Sequence, residues 1–278
     1  MAKIIDGKLL SQQMKAQMKT RVEELAKRGK TVTLAVIMAG ENPASAIYVK
    51  NKIAVCAELG IKSLSYHFNA GDEESRVSSL IKTLNDDNNI DGILVQLPLP
   101  PQMNETRVLS LIKPEKDVDG FHSVNAGNLF LGRPCVPACT PAGIIKLIQS
   151  TGVSIAGKHA VVIGRSNIVG KPVAMLLLNE NATVTICHSR TKDLSKHTKT
   201  ADILVVAIGK DRFVSGSMVK KGAIVIDVGM NRTDGKLYGD VDFGSCEKAA
   251  GYITPVPGGV GPMTITMLMD NVITAAEK

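Results

Sequence analysis

Short apolar runs alternate with helical patterns along almost the whole chain, and this alternation restricts the possible folds more than any other feature. The apolar runs have the length of buried strands, and the stretches between them repeat their apolar residues with the period of a helix. A strand, a helix and a further strand in succession form a parallel sheet with helices on its faces. The sequence therefore predicts an α/β protein with mostly parallel sheets.

The apolar runs fall into two groups, which indicates two domains. The first half carries predicted strands at 32–39, 61–68 and 90–97, and predicted helices at 8–29, 43–59 and 73–87. The second half carries predicted strands at 159–163, 182–187, 203–208, 223–228 and 251–254. Residues 98–139 are rich in Pro, Gly and Asn and are predicted to be irregular. We expect one domain over 1–120 and a Rossmann-like, doubly wound domain over 140–261, with the last helix, within 262–278, packing back on the first domain.

Composition argues against several classes of protein. The chain has 278 residues, of which 44% are hydrophobic and 21% charged, as is typical of a globular enzyme. Aromatic residues make up 3% and Trp is absent, so we do not expect the stacking surfaces of single-strand nucleic-acid-binding proteins. The net charge of +7 is dispersed, and small polyanionic substrates account for it. Neither a nucleic acid nor a membrane is therefore expected as a partner.

Cysteine usage points to a reducing compartment and away from a metal centre. The five cysteines are widely spread, which fits free thiols in a cytoplasmic protein. Cys135 and Cys139 lie four residues apart, but no second pair of suitable ligands accompanies them, so no zinc site is expected.

The segment 161–172 joins a predicted strand, a glycine-containing turn and a helix start. The strand ends at Gly164, and Pro172 opens the following helical pattern. Free N–H groups and the helix dipole favour a phosphate at such a helix start. The segment departs from the dinucleotide pattern Gly-x-Gly-x-x-Gly because Ser166 replaces the second glycine and Gly170 comes one residue late. It is either a diphosphate-binding turn or an ordinary connection.

Two further features favour a dinucleotide. Predicted strands also end at Gly209 and Gly229, which would place three glycines at one carboxyl edge, where flat ligands bind. The strand after the turn ends at Ser189 and Arg190 and lacks the acidic residue that holds the ribose of NAD. Hydroxyls and cations, including Arg165, suit the 2′-phosphate of NADP. We expect NADP as cofactor, bound by Gly164, Arg165, Ser166, Ser189, Arg190 and Gly209.

Polar side chains interrupt the apolar pattern of the first half. Tyr48 and Lys52 lie one helical turn apart, either as a tyrosine beside a lysine that reaches solvent, or as a phenol and an amine that face a cleft. Gln96 ends a buried strand, where ligand groups are expected. Asp119 either belongs to an Asp-Gly turn or accepts hydrogen bonds from an amino-pyrimidine.

A glycine- and proline-rich turn, 254–264, precedes the last helix. It is either a linker or, because its glycines permit close approach and its prolines stiffen the backbone, a contact for a ligand. We assign five positions in the proline- and glycine-containing segments to substrate binding: Leu97, Pro98, Gly258, Gly259 and Pro262.

Five segments resemble the bifunctional methylenetetrahydrofolate dehydrogenase/methenyltetrahydrofolate cyclohydrolase family. In family order they are 43–52, 91–100, 116–121, 164–172 and 255–264. The resemblance implies a folate-binding catalytic domain, an NADP-binding domain, an active-site cleft between the two, and a homodimer. It places Tyr48, Lys52 and Gln96 at catalytic positions and Asp119, with Tyr48, at pterin-binding positions. Met230 would be a further cofactor contact.

The resemblance implies two reactions of one-carbon metabolism, which serves purine biosynthesis. The first is oxidation of 5,10-methylenetetrahydrofolate by NADP, and the second is hydrolysis of the 5,10-methenyl product to 10-formyltetrahydrofolate. Hydride transfer needs mainly positioning, whereas hydrolysis needs a base for the attacking water. Lys52 can be that base where its amine is neutral, which burial and a cationic substrate both favour. A shikimate or amino-acid type of NADP dehydrogenase, a non-catalytic dinucleotide sensor and a nucleic-acid-binding protein remain alternatives.

Overall fold

The structure, a computed structural model, describes residues 1–278 apart from the side chain of Ala44. The elements are, in chain order, β1 (Lys3–Ile4), α1 (Gly7–Lys27), β2 (Thr33–Ala39), α2 (Pro43–Leu59), β3 (Lys62–Phe68), α3 (Glu74–Asp86), β4 (Gly92–Gln96), α4 (Glu105–Leu109), α5 (Ser123–Phe130), α6 (Cys139–Gln149), β5 (His159–Ile163), α7 (Gly170–Asn179), β6 (Thr183–Cys187), α8 (Leu194–Thr198), β7 (Ile203–Val206), a 3-10 turn (Gly216–Met218), β8 (Ile224–Asp227), β9 (Asn231–Thr233), β10 (Lys236–Tyr238), α9 (Phe243–Cys246), β11 (Tyr252–Ile253) and α10 (Val260–Ala276).

The chain divides into two compact units, both of the α/β class that the sequence predicts. The N-terminal unit comprises Met14–Cys139 and Met267–Lys278. The C-terminal unit comprises Met1–Gln13 and Thr140–Thr266. Among the described residues, no helix is both long and apolar enough to cross a bilayer.

The N-terminal unit is built on a three-stranded parallel sheet in the order β3-β2-β4. The central strand, β2, is almost entirely buried. Helix α3 presents Val77, Ile81 and Leu84 at helical spacing to the same core, which includes Ile37 and Val95 of the sheet. Because the strands are parallel, the carboxyl end of β4 lies at the same edge as that of β2.

The C-terminal unit contains a six-stranded, all-parallel sheet in the order β1-β11-β8-β7-β5-β6. The chain runs from β5 outward to β6 and returns to form β7 on the other side of β5. The strand order therefore reverses between β5 and β7. In open α/β sheets, ligands bind beyond the carboxyl ends of the strands at such a reversal.

The structure differs from the sequence-based expectation at the amino terminus. Residues 1–13 belong to the C-terminal unit and not to a domain over 1–120. The reason is strand β1, which pairs in parallel with β11 and extends the large sheet. A two-residue strand carries no periodicity from which it could be predicted.

Region 98–139 is also more regular than predicted, because it contains α4 and α5. A side chain caps the amino terminus of each of these short helices. Asn104 accepts a hydrogen bond from Arg107 N at 3.0 Å, and His122 Nδ1 accepts one from Val124 N at 3.1 Å. Such caps stabilise helices that are too short to show a clear apolar stripe.

Candidate active site

Lys52 is a buried lysine that donates a hydrogen bond to a neutral amide. It lies on α2 and is 9% exposed. Its Nζ donates a hydrogen bond to Gln96 Oε1 at 3.0 Å. This partner is an uncharged amide, so the bond orients the lysine side chain without placing a negative charge on it. This hydrogen bond therefore connects α2 to the end of β4, the two elements on which the sequence places candidate site residues.

The orientation of Gln96 is fixed by its neighbour. Gln96 Nε2 donates to the carbonyl oxygen of Leu97 at 2.7 Å, so its Oε1 is the atom left to face Lys52. Leu97 is half-buried and Pro98 is exposed, and the peptide bond between them is cis. Tyr48, one helical turn before Lys52, is 40% exposed.

The two aspartates of the Asp-Val-Asp-Gly segment have different surroundings. Asp117 is buried and accepts hydrogen bonds from His122 N at 2.8 Å and from Asn125 Nδ2 at 3.0 Å. These bonds hold its own loop together. Asp119 is half-buried, and Cys139 Sγ lies 3.9 Å from its Oδ1. Of these two carboxylates, Asp119 is therefore the one that can accept hydrogen bonds from a ligand.

Asp119 lies within the electrostatic reach of Lys52. Burial raises the pKa of the Asp119 carboxyl to about 6, and the positive charge of Lys52 opposes this increase. Burial likewise raises the pKa of the Cys139 thiol well above its usual value, so the thiol stays protonated. The site thus combines one carboxylate, one amine and one amide.

Asn271, which the sequence did not single out, fixes the loop that carries Asp119. Its Nδ2 donates to Val118 O at 2.9 Å and to Pro137 O at 3.0 Å. The two loop segments approach closely, because a Cβ at Gly120, where φ is +72°, would lie 2.5 Å from Ala138 N. An asparagine within an apolar helix was the available signal, since buried amides are almost always bonded.

The turn between β5 and α7 in the C-terminal unit is tightly packed. Gly164 has a φ of +123°, and a Cβ there would overlap the carbonyl oxygen of Ala207. A Cβ at Gly170 would overlap the carbonyl oxygen of Gly164. Gly170, one residue late in the sequence pattern, therefore permits close packing between helix and strand, the role of the third glycine in a dinucleotide turn.

Ser166 has a defined task at the start of α7. Its Oγ accepts hydrogen bonds from Val169 N and Gly170 N, both at 3.2 Å. The helix begins at Gly170, two residues before the start that Pro172 suggested. Pro172 lies in the first turn, where the N–H group it lacks would have had no partner within the helix.

We expect Gly164→Ala to destabilise the protein by about 2–3 kcal/mol, because the new Cβ combines a positive φ with a backbone clash. Chemical denaturation with and without NADP measures this loss. Gly244→Ala, on α9 in the same unit, is the control, since nothing lies within 4 Å of the added Cβ. Equal stabilities of the two variants would show that the turn is not tightly packed.

A surface cavity of about 310 Å³ lies at the carboxyl edge of β5, β6 and β7. Its lining consists of Ile163, Gly164, Arg165, His188, Ser189, Leu194, Ala207, Ile208, Lys210 and Phe213. Leu194, Ile208 and Phe213 offer apolar surface to a flat ring, and Arg165 and Lys210 supply cations. None of the described lining residues is acidic. These residues fit the adenosine and phosphates of a dinucleotide.

The remaining predicted cofactor residues lie around this edge. Arg190 and Met230 are exposed, the latter at 50%. Gly209 has a φ of +63° and open space around its Cα. Gly229 serves a different purpose, because a Cβ there would overlap the carboxylate of Asp240.

The turn 254–264 is stiff, as its composition indicates. A Cβ at Gly259 would lie 2.6 Å from Pro255 O, and Gly258 O accepts a hydrogen bond from Lys8 N at 3.0 Å. Gly258, Gly259 and Pro262 belong to the C-terminal unit, whereas Tyr48 and the other predicted substrate residues belong to the N-terminal unit. Their contact with substrate stays a prediction.

Comparison with known proteins agrees with this geometry. The family model described as "Tetrahydrofolate dehydrogenase/cyclohydrolase, catalytic domain" matches residues 5–119, and the model of the NAD(P)-binding domain of the same family matches residues 138–278. The chain belongs to the tetrahydrofolate dehydrogenase/cyclohydrolase family. It is therefore a bifunctional enzyme with an NAD(P)-binding domain, and family membership excludes the shikimate and amino-acid types of dehydrogenase.

Individual members of this family match over their full length. The bifunctional protein FolD of Dechloromonas aromatica is 56% identical over 278 residues, which cover 100% of this chain and 98% of that protein. The crystal structure of FolD from Campylobacter jejuni, 49% identical, has a TM-score of 0.98 and covers 100% of this chain and 99% of its own. FolD of Trypanosoma brucei, solved with NADP and an inhibitor, is 38% identical with a TM-score of 0.94, covering 99% of this chain and 97% of its own.

Proposed function

We propose that this enzyme oxidises 5,10-methylenetetrahydrofolate with NADP and hydrolyses the methenyl product to 10-formyltetrahydrofolate. The observation that carries the proposal is the buried Lys52, bonded to the neutral amide of Gln96 and electrostatically coupled to Asp119. The folate-binding domain comprises residues 14–120, and the NADP-binding domain comprises residues 140–261 together with residues 1–13. Of the predicted segment 262–278, residues 267–278 complete the first domain, as the bonds of Asn271 to Val118 and Pro137 support.

The oxidation requires the protein chiefly to hold its two reactants. Bound NADP would supply the hydride acceptor for oxidation at the bridging carbon of the folate. Asp119 accepts hydrogen bonds from the amino-pyrimidine edge of the pterin, and Tyr48, Leu97 and Pro98 contact the folate beside it. No protein group exchanges a proton in this step, so its rate depends on distance and alignment.

The hydrolysis requires a proton acceptor. Water attacks the methenyl carbon, and Lys52 removes one proton of that water, which gives a neutral hydroxy adduct. A base in this step needs a free electron pair, so Lys52 acts as the unprotonated amine. The bond between the attacked carbon and N5 then breaks as N5 takes the proton from Lys52 and the hydroxyl proton is released to solvent, which leaves 10-formyltetrahydrofolate. Gln96 orients Lys52 without adding a negative charge, since its bonded atom is an amide oxygen.

The cofactor residues are Gly164, Arg165, Ser166, Ser189, Arg190, Gly209 and Met230, with Gly258, Gly259 and Pro262 as further substrate contacts. The preference for NADP rests on Ser189 and Arg190 after β6, and the cavity adds Arg165 and Lys210. A 2′-phosphate requires such cations, whereas a ribose hydroxyl favours a carboxylate.

We expect Arg190→Ala to lower kcat/KM for NADP about tenfold and to leave kcat/KM for NAD within about twofold, because only NADP carries the phosphate. Initial rates with each cofactor test this expectation. Lys192→Ala, which removes an exposed cation two residues away, is the matched control. A parallel loss with both cofactors would contradict the assignment.

Family resemblance supports a homodimer that supplies 10-formyltetrahydrofolate to purine biosynthesis. The spread of the cysteines supports a cytoplasmic location, and the composition supports the absence of a nucleic-acid or membrane partner. Light scattering on the purified protein tests the dimer, and a mass near 29.5 kDa, that of one chain, would contradict it.

The function is tested by NADPH formation from methylenetetrahydrofolate together with consumption of the methenyl product. NADP binding with neither reaction would indicate a dinucleotide sensor instead.

A further inference from the structure

We infer that Asp240 is a positioning residue for the cofactor site, acting through the loop that follows β7 and through Asn231 at the start of β9. The inference rests on the proposed binding of NADP at this edge of the sheet. Asp240 follows β10 and is completely buried, 0% exposed. A carboxylate in such a position requires several hydrogen-bond donors.

Four hydrogen bonds reach the Asp240 carboxylate, and all come from uncharged amides. Ile208 N and Gly209 N donate to Oδ2 at 2.7 and 2.9 Å. Lys210 N and Asn231 Nδ2 donate to Oδ1 at 2.8 and 2.9 Å. Three consecutive backbone amides therefore converge on one side chain, which fixes the course of the loop 208–210.

The two segments held by Asp240, the loop 208–210 and the start of β9, carry or adjoin proposed cofactor contacts. Ile208 and Lys210 line the cavity at the carboxyl edge, and Gly209 lies between them. Asn231 directly follows Met230. Asp240 itself lines no part of that cavity, so it acts on the cofactor through these neighbours. Hydrogen bonds to a charged acceptor are among the strongest in proteins, which suits a loop that must be ordered before the ligand arrives.

A second buried carboxylate holds Asp240 in place. Asp227, at the end of β8, accepts hydrogen bonds from Asp240 N at 2.8 Å, Val241 N at 3.0 Å and Gly229 N at 3.0 Å. Burial raises the pKa of Asp227 to about 6, and the charge of Asp240 adds to the increase.

The glycines beside these carboxylates support the same interpretation. A Cβ at Gly229 would overlap Asp240 Oδ1, and a Cβ at Gly239 would overlap Asp227 Oδ2. The backbone passes so close to both carboxylates that neither position tolerates a side chain. The bonds of Asp227 and Asp240 are therefore an integral part of the loop structure, since the backbone itself is shaped around the two carboxylates.

The test is Asp240→Asn, which keeps the shape but replaces one acceptor oxygen by a donor that faces backbone N–H groups. We expect the dissociation constant for NADP, measured by calorimetry, to rise at least tenfold. Hydrogen exchange of the amides of 208–210 should accelerate at least tenfold, while the affinity for tetrahydrofolate changes less than twofold. Exchange needs no ligand, so it reports the loop independently of the cofactor.

Asp202→Asn is the matched control, because Asp202 also accepts a backbone bond, from His159 N at 3.0 Å, at the opposite edge of the same sheet. It should leave NADP binding and the exchange of 208–210 unchanged. Where Asp240→Asn does not fold, Asn231→Ala removes one of the four bonds and should weaken NADP binding two- to fivefold. Wild-type NADP affinity in a folded Asp240→Asn, or unchanged exchange of 208–210, would overturn the inference. Failure of the wild-type enzyme to bind NADP would overturn the proposed cofactor, and the inference with it.

Discussion

Lys52→Met is expected to lower the cyclohydrolase rate about 1,000-fold while the dehydrogenase rate falls by no more than about tenfold. Methionine fills much the same space as the lysine stem, so the packing of α2 is largely kept. The variant loses the amine that accepts the proton of the attacking water, and hydride transfer does not use that proton. Formation of NADPH and disappearance of the methenyl product, followed in the same sample, give both rates.

Lys50→Met provides the control, because Lys50 is an exposed lysine on the same helix. It should leave both rates within about twofold, as is usual for surface substitutions. Equal losses of the two activities in Lys52→Met, with tetrahydrofolate binding intact, would show that Lys52 acts on a step common to both reactions. That result would remove Lys52 from the role of base.

Asp119→Ala is expected to weaken tetrahydrofolate binding about 100-fold, because two charge-assisted hydrogen bonds to the pterin are lost. The loss should appear in KM for both reactions and leave NADP binding unchanged. Calorimetry with tetrahydrofolate, which has the pterin but lacks the bridging carbon, measures it directly. Glu115→Ala, an exposed acidic residue four positions earlier, is the control.

The same carboxylate should make folate binding depend on pH. Only ionised Asp119 accepts both hydrogen bonds, and burial raises its pKa to about 6. Affinity should therefore be constant above about pH 7 and fall up to tenfold per pH unit below about pH 5. Asp119→Asn should flatten this profile. An unchanged profile in that variant would place the titrating group elsewhere.

Much of the fold was predictable because long elements carry a clear period. The strands β2, β5 and β6 lie within one residue of their predicted bounds at each end, and their pairing is parallel. The meeting of Lys52 with Gln96 was also predictable, because a polar residue at the end of a buried strand requires a partner. The roles of individual site residues remain predictions that the proposed variants test.

Other features could not be predicted, because they depend on contacts between distant segments. Asn271 reaches Val118 across 153 residues, and Asp240 bonds a loop 30 residues earlier. Asn271 stands out in the sequence only as a polar residue in an apolar helix, and Asp240 resembles any aspartate near a turn, so neither sequence position reveals the bonding partner. Gly229 was interpreted as a ligand contact, whereas the space beside it is occupied by the carboxylate of Asp240. The type of a residue does not show which distant residue it contacts in the folded protein.

Strand β1 has a consequence for dissecting this enzyme. Lys3 N and Ile5 N donate to Gly251 O and Ile253 O, both at 2.8 Å, so residues 3–5 complete a sheet whose other strands lie more than 150 residues later in the sequence. An excised fragment that starts near residue 138 would leave the edge of β11 bare and prone to join a strand of another molecule. A useful isolated fragment must instead carry residues 1–13 through a linker or a circular permutation.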